Sequence, residues 1–268
     1  LTHSSICVKG CQTKFLSLDP RFNQNKKHAA IIIIPMHGLF ITGTDTGIGK
    51  TTICTGLLWF LHNKGIKVGV MKPFAAADKI FSQSYKSEDT YKLATAAKIE
   101  DADERINPFF YNVPASPFVA SKLTHQKIPS LNHAVRTVLG ESKKRRYTII
   151  EGIGGLLVPI SRNYTIGDFA RKLGLPTVIV ADAKLGGVNH TLLTLQACVK
   201  YRLDVIAVII NRMPTRPEKP QRLLVSTLRQ LTGIKVIFSI PDFHKEPDPK
   251  SVAIILDKKW HIISSLRL

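Results

Sequence analysis

The chain has 268 residues, which leaves room for one sizeable α/β domain or at most two small ones. Its 44% hydrophobic and 21% charged content are those of a globular protein. A net charge of +19, from 38 Lys+Arg against 19 Asp+Glu, favours anionic partners in general: nucleotides, nucleic acids or acidic membrane surfaces.

Residues 1–35 show no sustained helical or strand period. We expect them to be an N-terminal extension outside the native chain, with Met36 as the working start and residues 36–268 as the functional domain; the alternative is a short targeting or partner-binding arm. The spacing of Cys7 and Cys11 invites a metal site, but no second Cys or His pair with finger-like spacing follows. With Cys54 and Cys198 they are too few and too scattered for a disulfide framework, so free thiols and a cytoplasmic location are expected. The apolar run Ala29–Ile34 is too short to span a bilayer and lacks a secretory cleavage signal.

From Met36 onward, short apolar runs alternate with segments of helical period. Strands are predicted at Gly38–Thr42, Lys67–Met71, Tyr147–Glu151, Pro176–Ala181, Asp204–Ile210 and Lys235–Phe238. They are rich in β-branched residues and mostly continuous rather than alternating, as suits a parallel sheet covered on both faces. Helices are predicted at Thr51–Asn63, Glu88–Ala97, Ser130–Ser142, Asn189–Tyr201 and Lys219–Leu231. This alternation implies right-handed βαβ units and one doubly wound, mostly parallel α/β sheet. The tight basic cluster Lys143–Arg146 is read as a solvated helix end rather than a nucleic-acid site.

The first strand runs directly into Gly43-Thr-Asp-Thr-Gly-Ile-Gly-Lys-Thr-Thr52 and then a helix. Glycines at 43, 47 and 49 let the backbone turn tightly and aim its N–H groups at phosphate oxygens. The helix N-terminus adds its dipole, Lys50 reaches the β- and γ-phosphates, and the Thr51 hydroxyl can ligate Mg²⁺. Five residues separate Gly43 from Gly49, one more than the usual phosphate loop has, but the loop still closes on Gly-Lys-Thr. Glu151 ends a buried strand before Gly152-Ile-Gly-Gly155, at the strand end where open α/β sheets bind ligands. Taken alone, Asp89 reads either as a charge partner of a helix N-terminus or as a metal ligand. Lys72, between a strand and Pro73, either faces the γ-phosphate or is solvated.

Together these segments resemble the dethiobiotin synthetase family, the ATP-dependent carboxylases of biotin synthesis. The match spans about Met36–Phe243 and rests on Gly43–Thr51, Lys72-Pro73, Ser87-Glu-Asp89, Ser116-Pro117, Glu151–Gly155, Lys184–His190 and Ile210-Asn211. The resemblance implies a P-loop NTPase-type sheet, ATP as co-substrate, and Mg²⁺ held by Thr51, Asp89 and Glu151. It implies catalytic roles for Lys72, Lys50 and Thr46. Nucleotide contacts would come from Gly47, Ile48, Gly49, Lys50, Thr51, Thr52, Asp89, Glu151, Gly152, Ile153 and Gly154. Asn211, Arg212, Pro241, Asp242 and Phe243 would complete them around the base. Ala76 and Asn189 would meet the diamine, Asn189 from the partner subunit of a homodimer.

Two departures stand out: Gly47 where some relatives carry Glu, and Ala76 where the family often has a hydroxyl residue. The small-molecule substrates would be 7,8-diaminopelargonate, CO₂ and ATP, with no nucleic-acid or membrane partner. A ParA/MinD-like partitioning ATPase, binding DNA or membrane, is the alternative that would use the +19 charge. Such proteins usually carry a lysine at the start of the phosphate loop, and Ile41-Thr-Gly-Thr44 has none. The related cobyrinate amidation enzymes need a glutamine-hydrolysing domain, for which the stretch after Ser239 is too short.

Overall fold

The computed structural model describes residues 36–234 and 236–259. The expected extension at 1–35, with Cys7 and Cys11, lies outside the described residues, as does Lys235 at the start of a predicted strand.

Six parallel strands form the main sheet in the order β2-β5-β1-β6-β7-β8. They are β1 (Gly38–Gly43), β2 (Val68–Met71), β5 (Tyr147–Gly155), β6 (Thr177–Asp182), β7 (Val205–Met213) and β8 (Ile237–Pro241). All six correspond to predicted strands, although β5 and β7 continue past their predicted ends into the residues expected to hold ligand. A separate two-stranded parallel sheet pairs β3 (Phe74–Ala76) with β4 (Phe109–Tyr111). At three residues each, these strands are too short to show a period.

Side chains alternate across each strand and so feed two cores. Leu39 and Ile41 of β1 join Ile149, Val178, Val180 and Ile209 on one face. There they pack against α1 (Lys50–Asn63), α2 (Glu88–Ala97) and α9 (Pro249–Lys258). Phe40, Ile150, Ile179 and Ile210 point the other way. That face is covered by α5 (Leu131–Ser142), α6 (Ile166–Leu173), α7 (Gly187–Tyr201) and α8 (Lys219–Thr232). Such two-sided burial explains why the strands read as continuous apolar runs. Two shorter helices, α3 (Asp103–Ile106) and α4 (Pro117–Thr124), frame β4.

The cluster at 143–146 is partly tied into the fold. Lys144 pairs with Glu141, and Arg145 with Asp101, which also binds Arg105. Cys54 and Cys198 are free and buried. Among the described residues, no helix is long and apolar enough to cross a membrane.

Candidate active site

The C-terminal ends of β1, β2, β5, β7 and β8 open onto a cleft of about 820 Å³. That is the edge at which parallel α/β sheets bind ligands. The phosphate loop fills the gap between β1 and α1. Gly49 caps α1 in the left-handed region at φ 87°, and a Cβ there would lie 2.2 Å from Asn211 Nδ2. Glycine is therefore required at 49 on two counts. Gly47 is also left-handed, at φ 70°, but nothing lies within 4 Å of an added Cβ. A side chain at 47 would meet open space, but the positive φ strains any residue with a Cβ there.

Lys50 is buried, and its ammonium donates to the carbonyl of Asp45 at 2.8 Å, inside the curl of the loop. Burial lowers its pKa to about 8, Lys72 adds to this, and Glu151 opposes it. Thr51 donates its hydroxyl to Glu151 Oε1 at 2.9 Å. Glu151 lies opposite Ile41 in the β1–β5 register, so the sheet itself sets it beside the loop. Lys72 follows β2 directly and reaches the same carboxylate at 2.7 Å. Its ammonium also pairs with Asp89 on α2. Burial would depress the Lys72 pKa, but Glu151 and Asp89 outweigh it and hold the ammonium charged. Lys72 in turn pulls the Asp89 carboxyl below its ordinary range against the opposing effect of burial.

These groups fit Mg²⁺. Glu151 Oε2 is buried without a hydrogen-bond partner, while its Oε1 accepts from the Thr51 hydroxyl and from the Lys72 ammonium that also pairs with Asp89. Among the described residues, no three His, Cys, Asp or Glu side chains cluster as a dedicated metal cage. A hard oxygen set of this size would suit Mg²⁺, leaving room for phosphate and water.

At the far end of the cleft the β7–β8 register shifts between Ile210 and Met213, and Arg212 takes a left-handed φ of 56°. A bulge of this kind re-aims side chains next to a site. It places buried Asn211 against the phosphate loop, where Nδ2 donates to the Ile48 carbonyl at 2.9 Å. One N–H and the carbonyl oxygen of that amide remain available to a ligand. Pro241, Asp242 and Phe243 line the cleft beside it.

Residues 37–248 match the family model described as an AAA domain. The ATP-dependent dethiobiotin synthetase BioD of Nitrosopumilus maritimus is 38% identical over 232 residues, covering 87% of this chain and 100% of that protein. The chain belongs to the ATP-dependent dethiobiotin synthetase family. The Bacillus licheniformis member is 34% identical, over 77% of this chain and 86% of its own length. A solved structure of the MinD cell division protein of Aquifex aeolicus shares the fold, with a TM-score of 0.51 and 17% identity. It covers 86% of this chain and 95% of that one.

Of the residues singled out by resemblance to the dethiobiotin synthetases, most line one cleft. Thr46, Gly47, Gly49, Lys50, Thr51, Thr52, Lys72, Ala76, Asp89 and Glu151 do so, as do Ile153, Gly154, Asn211 and Arg212. Ile48 and Gly152 are buried behind the lining, the first packed in the core and the second against Phe40. Asn189 lies apart, exposed in the first turn of α7 and outside the cleft lining. Sequence reasoning gave no role to Ser116, Lys92 or Glu246, which also line the cleft. Lys92 carried a usable signal, since it follows Asp89 by three residues on a predicted helix and shares its face.

The low pKa of Lys50 has a measurable consequence. If Lys50 meets phosphate as the resemblance implies, its protonated form would be the binding form and bound phosphate would raise the pKa. Nucleotide binding would then take up a proton above pH 8, and affinity would fall as pH rises. We expect the Kd for Mg-ADP to rise about tenfold between pH 7 and 9. Calorimetry in buffers of differing ionisation enthalpy checks this. A flat profile over that range would contradict the Lys50 assignment.

Proposed function

We propose that this chain catalyses the ATP-dependent carboxylation and ring closure of 7,8-diaminopelargonate with CO₂, giving dethiobiotin, ADP and phosphate in the cytoplasm. Family membership over the whole length of a relative supports the activity. The observation that carries the mechanism is the meeting of Lys50, Lys72, Thr51, Asp89 and Glu151 in one cleft.

One amine of the substrate adds to CO₂ and loses a proton, giving a carbamate. A carbamate oxygen attacks the γ-phosphorus, the bond to the β-γ bridging oxygen breaks, and ADP leaves. The second amine then attacks the carbonyl carbon of the carbamic-phosphoric anhydride, closes the ureido ring, expels phosphate and loses a proton. Negative charge builds on the transferring phosphoryl group, so the protein's task is positioning and charge neutralisation. Lys72 faces the carbamate and the γ-phosphoryl group, and Lys50 the β- and γ-phosphates. Thr46 lies beside the reacting centre.

Thr51, Asp89 and Glu151 would hold Mg²⁺, which when bound neutralises oxygens of the β- and γ-phosphates. Asn211, already bonded to Ile48, offers its free N–H and oxygen to the edge of adenine, with Pro241 and Phe243 beside the ring. We further infer a homodimer. Asn189 is exposed near Leu185, which is 96% exposed, and Leu193, which is 55% exposed. A second copy covering this face would carry Asn189 and the N-terminus of α7 to the diamine's carboxylate tail.

The test is phosphate release with Mg-ATP and bicarbonate. Release should require 7,8-diaminopelargonate and match dethiobiotin formation mole for mole by mass spectrometry. Hydrolysis without the diamine, stimulated by DNA or lipid vesicles, would support a partitioning ATPase instead.

A further inference from the structure

The site so far leaves one charged contact unused. Lys92 lies on α2, three residues beyond Asp89, and lines the same cleft. Its ammonium bonds Glu88 Oε1 at 2.9 Å on its own helix and Glu246 Oε2 at 2.5 Å across the cleft mouth. Although a lysine on a surface helix, its side chain is only 25% exposed. Burial works against its charge, but the bonds to Glu246 and Glu88 outweigh it and raise the pKa.

Glu246 belongs to the segment 242–247 between β8 and α9, which carries no helix or strand. The first half of that segment is anchored. The Asp242 N–H donates to the Met213 carbonyl at 2.7 Å, and Phe243 packs on the core. His244 then turns in the left-handed region at φ 58°. Beyond that turn, the tie reaching the segment from α2 is the bond from Lys92. Residues 154 apart in sequence are joined there.

We propose that Lys92 is a positioning residue, which through Glu246 holds segment 242–247 against α2 and so fixes the width of the nucleotide end of the cleft. The inference rests on the reading above that the base lies between Asn211 and Pro241–Phe243. The contact couples the two halves of nucleotide recognition. The helix that carries Asp89 toward the phosphates is strapped to the segment beside the base. It also masks an acid: an unpaired Glu246 carboxylate would stand at the mouth of a site that must admit a polyanion.

Positioning and masking predict opposite results for Glu246→Gln. If Lys92 only neutralised the acid, Glu246→Gln would bind nucleotide as well as the wild type or better. If the pair holds the segment, Glu246→Gln and Lys92→Met should each raise the Kd for Mg-ADP about two- to fivefold, as expected for a partly exposed ion pair. The double variant should be no worse than either single one. Lys92→Arg should restore most of the affinity, and the loss should fall mainly on the KM for ATP rather than on kcat. Calorimetry on the full chain, with Tm recorded, supplies these values.

Wild-type or tighter binding by Glu246→Gln, or additive losses in the double variant, would overturn the proposal. Asn211→Ala separates the two levels. Unchanged Mg-ADP affinity in that variant would sink the base-pocket reading itself. Weakened binding there, with Glu246→Gln unaffected, would sink the clasp alone.

Discussion

Replacing Lys72 with alanine is expected to lower kcat by about a hundred- to a thousandfold, the usual cost of removing one preorganised charge from a developing oxyanion. The lysine is 5% exposed and is held by Glu151 and Asp89 from two separate elements. It therefore needs little reorganisation when charge builds on the phosphoryl group. The same substitution strands a buried carboxylate, since Glu151 is 1% exposed. Removing one partner of a buried ion pair costs about 3–5 kcal/mol, so Tm should fall as well. Turnover must be measured below the new transition and set beside Mg-ADP affinity. Near-normal turnover in the folded variant would remove Lys72 from the mechanism.

Lys50→Met should be equally damaging to catalysis and opposite in its effect on the free protein. The loss of the charge that meets the β- and γ-phosphates is expected to lower kcat/KM for ATP at least a hundredfold. Yet the lysine's pKa in the folded protein, about 8, lies below its ordinary value of 10.5. At neutral pH the fold therefore carries a proton that the site disfavours. Stability from this group is regained only between pH 8 and 10.5, where the unfolded chain binds more protons. Lys50→Met removes that penalty, so its Tm at pH 7 should rise while activity disappears. Thermal scans of the two variants, side by side, give the comparison. A Tm that fell for both would argue that Lys50 is held in place by more than the Asp45 carbonyl. Such a contrast would mark Lys50 as a residue kept for function at a cost to stability.

The sequence was most legible where local chemistry and long-range packing agree. The run Gly43–Thr52 needs glycine for its backbone and a lysine for its phosphate, and both are visible without neighbours. The strands were readable because burial on both faces leaves continuous apolar runs. The ends of β5 and β7 were not, because Gly152–Gly155 and Asn211–Met213 are strand residues that break the apolar, β-branched run of the sheet with glycine, Asn and Arg. The helix at Ile166–Leu173 was missed although its capping box, Thr165 with Asp168, stands in the sequence. The same holds for Pro249–Lys258, introduced by Asp248-Pro249. That Asp89 and Glu151 pair with Lys72 had no local signal. Asp89 lies 17 residues away and Glu151 lies 79 away, and only the strand order brings them together. Ala76 lines the cleft.

The central position of β1 has a consequence for how the chain is made. Its two neighbours in the sheet are β5, which begins at Tyr147, and β6, which begins at Thr177. A ribosome working at about 5–20 residues per second needs roughly 5–20 s to pass from the end of β1 to the start of β5. For that interval the strand Gly38–Gly43, buried throughout in the folded protein, lacks partners on both edges and is a template for wrong ones. Nascent chains stalled before residue 147 should therefore be the aggregation-prone species and the natural clients of chaperones. Those extended past Asp182 can close the middle of the sheet.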